Sequence, residues 1–406
     1  MVTGASFASS VVAKELGGDE LIAHDPDVPL PPASNTKLLT AALAYHHLGP
    51  DYRFETNVSR SGDSLVLAGR GNPSLSLDRL SVLAERVGNN GIGTVTNVIA
   101  DVGWFSEASR GPGWMWEDGR HEYGAKSTAL ALDGNTVSVT VTGTEVEITP
   151  RTSAIELDTN IDPSADELRM FRDDDTIRIE GRSPDESNTE RVPVGDPVCH
   201  CLLAFRDALE AVGVAHIGGL HVTEKPKSGE PIATVKSPPV SELVREMNVP
   251  SDNFLAEQLA RNIAKEVRGK GSWSEWETVI EEFLDSRTVG AFRIRDGSGL
   301  SRYNLISARG IVRVLEWVTE QPWSETFFNS LPKPGEGTLE DRLSDVGCDV
   351  RAKTGTLTGS RTLSGIVRRD NGRSDVIFSV LLGGLTAEDE ENARETIDDF
   401  VRELAE

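Results

Sequence analysis

Cysteine is nearly absent: Cys199, Cys201 and Cys348 are the whole complement of a 406-residue chain. An odd number in a chain of this length excludes a disulfide framework as the basis of the fold. Long apolar runs are missing too, and nothing approaches the roughly 18 consecutive apolar residues of a membrane span. Residues Met1 to Asp25 lack a basic segment followed by an apolar core, so no secretory signal is expected there. There is no internal repeat and no low-complexity tract, which excludes a solenoid. Lysine is scarce, with 10 among 41 basic residues against 65 acidic ones, for a net charge of -24. Such a polyanion repels nucleic acid and anionic membranes. The acidic residues are scattered, which describes a solvated surface better than an interaction tail. Low lysine with abundant Asp and Glu also resembles proteins from salt-loving organisms. There, salt at about 1 M shortens the screening length to about 3 Å and relieves self-repulsion.

What is present reads as a globular protein of two or three domains, with 38% hydrophobic and 26% charged residues. Phe7 to Lys14 and Glu20 to His24 form an expected hairpin around Gly17-Gly18. A helix is expected from Asn35 to Leu48, with Leu38, Leu39, Ala42, Tyr45 and Leu48 as its apolar face. Between residues 55 and 236 short alternating runs such as Thr136 to Ile148 predict a mostly β region. Two helices punctuate it, near Leu75–Val87 and Pro197–Val212; the second has Asp196 as its cap and Pro197 in its first turn. Helices return from Val240 to Phe283 and from Ser307 to Thr319. Three strands follow, Asp349–Leu357, Arg361–Arg369 and Asp375–Leu382, the last two joined by an Asp370-Asn371-Gly372 turn, and a helix over Ala387–Ala405 closes the chain. The expected class is α+β. Five antiparallel strands from the two ends of the chain share one sheet flanked by helices. The expected division is 1–54 and 237–406 for this domain, and 55–236 for an inserted accessory region of one or two subdomains.

Three short motifs carry chemistry. Ser34-Asn35-Thr36-Lys37 is an S-x-x-K at a helix start, where positions i and i+3 share a face and the hydroxyl and amine can meet. A serine hydroxyl needs a base, and a lysine can serve only when neutral, a state favoured by burial and by a neighbouring cation. A second S-x-x-K, Ser330 to Lys333, lies in a Pro- and Gly-rich stretch and reads as a loop. Ser251-Asp252-Asn253 precedes an amphipathic helix; taken alone it is a capping sequence. Lys353-Thr354-Gly355-Thr356 sits on an expected strand, where a cation and hydroxyls can hold a carboxylate and Gly355 admits substrate backbone. In this order, on these elements, the three form the signature shared by β-lactamases and penicillin-binding proteins.

Beyond the motifs, Pro32 to Thr40, Tyr52 to Thr56, Leu67 to Pro73, Gly113 to Asp118 with Tyr123 to Ala125, Asp296 to Arg302 and Gly335 to Arg342 make the chain resemble one family along nearly its whole length. That family is the class C low-molecular-mass penicillin-binding proteins, serine D-Ala-D-Ala carboxypeptidases and endopeptidases. The resemblance implies a penicillin-binding/β-lactamase-like transpeptidase domain interrupted between its first two motifs, where Ser34 and Ser251 stand 217 positions apart. It implies that Ser34 attacks the penultimate D-Ala carbonyl and Lys37 takes its proton. Ser251 and Asn253 would relay the proton and hold the peptide amide, and Lys353 and Thr354 would bind the terminal carboxylate. The backbone N–H groups of Ser34 and Thr356 would form the oxyanion hole, with Gly355 beside them. Trp116, Asp118 and Tyr123, with Arg302 and Leu357, would form a pocket for the side chain ahead of the D-Ala pair, one suited to a long side chain ending in an amine. No cofactor is implied. The expected partners are peptides ending in D-Ala-D-Ala, and β-lactams as covalent inhibitors. The family works outside the cytoplasm.

Two other readings stay open on the residues alone. A β-lactamase or esterase uses the same acyl-enzyme path, although no E-x-x-L-N follows Ser251 to supply the deacylating Glu of a class A β-lactamase. A non-catalytic binding protein for β-lactams or peptides is the third, against which the intact Ser34, Lys37 and Lys353 argue. Cys199-His200-Cys201 on a helix points its sulfurs about 200° apart, so no metal site is expected there.

Overall fold

The computed structural model describes residues 7–162, 164–165, 167–182, 186–225, 229–369 and 373–406. The expected turn Asp370-Asn371-Gly372 lies outside them. In chain order the first elements are β1 (Ala8–Glu15), β2 (Glu20–His24), α1 (Thr36–His47), β3 (Glu55–Ser61), β4 (Ser64–Gly69), α2 (Leu77–Asn89), β5 (Thr94–Val95) and β6 (Asn97–Asp101). Next come β7 (Thr136–Thr142), β8 (Glu145–Thr149), β9 (Glu156–Ile161), β10 (Leu168–Asp173), β11 (Thr176–Gly181), β12 (Asn188–Pro193), α3 (Pro197–Ala211), β13 (Ala215–His216), β14 (Leu220–Thr223) and β15 (Glu230–Lys236). The remainder is α4 (Val240–Asn248), α5 (Asn253–Arg268), α6 (Trp273–Asp285), α7 (Ala308–Thr319), α8 (Ser324–Asn329), β16 (Asp349–Leu357), β17 (Ser360–Arg368), β18 (Val376–Gly383) and α9 (Ala387–Ala405).

The chain divides into two compact units. One comprises the chain up to Tyr52, the strip Gly111–Trp114 and Pro239–Glu406; the other comprises Arg53–Arg110 and Met115–Pro238. The first unit holds an antiparallel sheet in the order β16-β17-β18-β1-β2, so strands from both chain ends do share one sheet. Alternation along β16 and β17 sends Val350, Ala352, Leu363 and Val367 to one face, where they pack with Ile397 and Val401 of α9. All eight residues of β18 are buried, as expected of an inner strand.

Helix α1 departs from the amphipathic pattern, because every residue from Thr36 to Tyr45 is buried. It can be, since its polar residues have partners: Thr36 Oγ1 donates to Ala33 O at 2.9 Å and Thr40 Oγ1 to Gly297 O at 2.6 Å. Leu38 and Leu39 are wholly enclosed, and truncating either would cost about 2–5 kcal/mol.

The second unit contains a five-stranded sheet, β14-β6-β4-β3-β15, whose first three strands run parallel. Helices α2 and α3 help bury its core of Val58, Leu67, Leu80, Leu83, Val98 and Phe205. Two three-stranded sheets, β10-β11-β9 and β12-β7-β8, share a separate core that includes Val137, Val139, Met170 and Ile179. Among the described residues no helix is long and apolar enough to cross a membrane.

Candidate active site

Pro32 brings the chain into a short 3-10 turn, Ala33–Asn35, that runs directly into α1. Ala33 takes a left-handed φ of 47°, and Ser34 after it is half-buried. The turn is fixed to the sheet by a row of hydroxyls on β17. Ser360 Oγ donates to Pro31 O and Thr362 Oγ1 to Pro32 O, each at 3.0 Å, and Asn35 Nδ2 donates to Ser364 Oγ at 2.6 Å. Residues 360, 362 and 364 share a face by strand alternation, and all three are buried.

Lys37 is wholly buried one turn below Ser34, and its Nζ lies 3.0 Å from Ser34 Oγ. It also donates to Asn253 Oδ1 at 2.6 Å and to Ser298 O at 2.9 Å. The first two motifs therefore meet at this amine. Within the second motif the parts separate. Asp252 is the helix cap, its carboxylate accepting Leu255 N at 2.8 Å, and Asn253 opens α5 facing Lys37. Ser251 sits just before the cap with a left-handed φ of 67°. None of the three bonds from Lys37 reaches it.

The third motif lies on β16, the outer strand of its sheet. Lys353 is fully buried and donates to Thr354 O at 3.1 Å. Thr354 Oγ1 donates to Thr338 Oγ1 at 2.7 Å, Thr356 is exposed and Leu357 half-buried. Gly355 faces the Ser34 turn so closely that a Cβ there would come 2.1 Å from Thr362 Oγ1 and 2.9 Å from Pro32 O. The K-T-G strand thus runs against the Ser34 turn.

Sequence reading gave no role to two carboxylates beneath, Glu257 and Asp296, the second known only as the start of the Asp296–Arg302 stretch. Glu257, one turn into α5, is fully buried and accepts Gly297 N and Ser298 N, each at 2.9 Å. It thereby holds the loop whose Ser298 carbonyl receives Lys37. Asp296, also fully buried, accepts Gly299 N, Ser301 N, Asn304 Nδ2 and Trp114 Nε1 at 2.6–3.0 Å. Gly299, at a φ of 91°, lies where a Cβ would be 1.8 Å from Ala33 O. The same segment clasps the strip Gly111–Trp114, with Ser301 Oγ donating to Pro112 O and Arg302 N to Gly113 O. Glu257 carried no motif signal beyond an acid on the apolar face of a predicted helix.

Two lysines and two carboxylates without solvent shift one another. Burial pushes Lys37 down to about 8, opposed by the charges of Glu257, Asp252 and Asp296. Burial and then the Lys37 charge hold Lys353 well below the ordinary lysine value. Burial raises Glu257, with the Asp296 charge adding to it, and burial also raises Asp296.

Residues 3–404 match the D-Ala-D-Ala carboxypeptidase 3 (S13) family. The chain belongs to it. It is therefore a hydrolase, a peptidase of the serine type. A D-alanyl-D-alanine carboxypeptidase of an Actinomadura species is 33% identical, over 92% of this chain and 77% of that protein. One from Haemophilus influenzae is 24% identical, over 94% of this chain and 86% of its own length. The fold matches the crystal structure of penicillin-binding protein 4 from Haemophilus influenzae, with a TM-score of 0.84 over 94% of this chain and 91% of that one, at 22% identity.

The remaining candidates divide between the units. Arg302 is half-buried in the first, its Nε enclosed without a hydrogen-bond partner. Trp116, Asp118 and Tyr123 belong to the second. Asp118 is only 6% exposed and accepts Met115 N at 2.7 Å, which fixes the loop. Trp116 is 73% exposed and Tyr123 46%, the latter stacked on His121 at 5.5 Å. The second S-x-x-K does not assemble: Ser330 is buried and caps α8, while Lys333 is exposed. Cys201 is enclosed in the core, and His200 shares a 2.9 Å hydrogen bond with Thr152 Oγ1.

Proposed function

We propose that this family member cleaves peptides ending in D-Ala-D-Ala through an acyl-enzyme on Ser34, and that penicillins acylate the same hydroxyl. The observation that carries this reading is the buried Lys37 amine, 3.0 Å from Ser34 Oγ with its pKa brought down to about 8. At pH 7 roughly one such lysine in ten is neutral, enough to accept the hydroxyl proton as the carbonyl is attacked. Asn253 orients the amine and holds the peptide amide, and Ser251 carries the proton on to the leaving nitrogen. The N–H groups of Ser34 and Thr356 take the oxyanion. Water then releases the acyl group. The test is to incubate the protein with labelled penicillin and follow adduct and release by mass spectrometry. A long-lived adduct supports the proposal, rapid release points to turnover of the β-lactam itself, and no adduct overturns acylation of Ser34 by penicillins.

Lys353 and Thr354 bind the substrate's terminal carboxylate in this reading. Lys353 is buried on the outer strand with no ion-pair partner among the described residues, and a ligand carboxylate would supply one. Lys353→Ala should lower kcat/KM for peptides with a free terminal carboxylate by roughly 10- to 100-fold, and much less for their amides. An equal loss on both would assign Lys353 to tuning Lys37 instead.

Asp118, with Trp116, Tyr123, Arg302 and Leu357, is our proposal for recognition of the preceding side chain. Because Asn keeps an acceptor for Met115 N, Asp118→Asn removes the charge while retaining the loop bond. Donors with a free terminal amine should lose about 1–3 kcal/mol in kcat/KM, and N-acetylated ones should be spared. Equal losses together with a lower Tm would leave Asp118 a structural role only.

A further inference from the structure

The second unit contains a cavity of about 550 Å³, a size typical of small-ligand sites. Four consecutive residues of β10, Leu168 to Phe171, line it. Their side chains alternate between the two faces of the strand, so a cavity touched by all four must run along the strand's edge. That edge is open in the sheet, since β10 is an outer strand of β10-β11-β9. Opposite it, Glu190 enters from β12, the outer strand of the other three-stranded sheet. An open edge offers unpaired N–H and C=O groups, the features by which sheets take up extended peptides.

The charges around this edge are unmatched in a specific way. Arg169 is paired with Glu180 at 2.8 Å. Arg120 is not paired. Its guanidinium lies over the Phe171 ring at 4.2 Å, its Nε is enclosed without a hydrogen-bond partner, and it makes no ion pair among the described residues. Arg120 is half-buried, so its unsatisfied Nε–H is partly withdrawn from water. A desolvated cation of this kind gains most from a ligand carboxylate. Exposed Glu190 likewise forms no ion pair among the described residues and can face an ammonium. Leu168 and Met170 add an apolar wall.

We propose that this cavity is a second peptide site, separate from Ser34. It takes a short extended peptide with free ends, whose backbone pairs along β10, whose carboxylate meets Arg120 and whose amine meets Glu190. Four strand residues span roughly 13 Å, which suits a di- to tetrapeptide. The proposal does not rest on the activity assigned to Ser34.

The probe is the tripeptide Ala-Leu-Ala, titrated calorimetrically into protein already acylated by penicillin, beside its N-acetyl and C-amide forms. One-to-one binding of the free tripeptide should persist with Ser34 blocked and weaken about tenfold for the amide. Arg120→Gln should erase the difference between acid and amide, and Arg120→Lys should restore part of it. Glu190→Gln, at an exposed position that does not endanger folding, should erase the difference between amine and N-acetyl forms. Absence of binding to the blocked protein, or equal affinity for acid and amide in the unsubstituted chain, overturns the proposal. If penicillin forms no adduct, the reading of Ser34 fails alone, and the Arg120 and Glu190 comparisons still decide the cavity.

Discussion

Ser34→Ala should form no covalent adduct with penicillin and should lose roughly 10⁶-fold in peptide turnover, the scale seen when a serine nucleophile is removed. The side chain is half-buried, and its removal takes away one hydroxyl and the 3.0 Å contact with Lys37. The turn that carries it is held by bonds to Pro31, Pro32 and Asn35, so the fold should remain and Tm should change little. The serine of the second S-x-x-K is not placed to substitute. Ser330 is 2% exposed and spends its hydroxyl on Phe327 O at 2.6 Å, while accepting Asn248 Nδ2 at 3.0 Å. Intact-protein mass spectrometry with peptide mapping reads the result directly. An adduct that persists in the variant, on Ser330 or elsewhere, refutes the assignment of the nucleophile.

Lys37→Ala should slow acylation by about 10²–10⁴-fold, the range for loss of a general base, while Ser34 stays in place. The unsubstituted protein supplies the more diagnostic measurement. Lysine acts only when neutral, and burial has brought Lys37 to about 8. Acylation should therefore rise with pH through about 8 and fall away below it. Glu257, Asp252 and Asp296 pull the other way, since each negative charge favours the protonated amine. Removing the Glu257 charge should consequently move the rising limb to lower pH. Glu257→Gln should also lower the plateau, because Gly297 N and Ser298 N donate to different carboxylate oxygens, one of which becomes an NH2 donor in Gln, and the loop carrying the Ser298 carbonyl loses support. Stopped-flow acylation between pH 6 and pH 10 (roughly two units around the limb) separates the two effects. A limb unmoved in Glu257→Gln would reduce Glu257 to a loop brace. An unsubstituted enzyme with no limb near 8 would remove Lys37 as the base.

The chemistry was legible in the sequence because each motif is local. A serine and a lysine three apart meet wherever that segment is helical, and Ser34 and Lys37 do. Strands at the two ends of the chain were legible for a similar reason, since alternation and apolar runs record which residues face a core. The hydroxyls of Ser360, Thr362 and Ser364 lie at every second residue, but nothing local says that such a row holds Pro31 and Pro32. The parallel pairing of β4, β6 and β14 was not visible at all, because strand direction leaves no trace in side-chain period.

The sequence by itself determined which groups could react: a hydroxyl, an amine and a second lysine, each in an element of the right kind. Only the tertiary structure decided the state in which they stand. Lys37 meets Asn253 from 216 positions away and Ser298 O from 261, and Glu257, on the same helix as Asn253, braces the loop that carries this carbonyl by accepting Gly297 N and Ser298 N. Whether a lysine is a base or merely a cation depends on desolvation and on charges within a few ångströms. Those are set by which distant segments close over it, and no pattern within a segment encodes that.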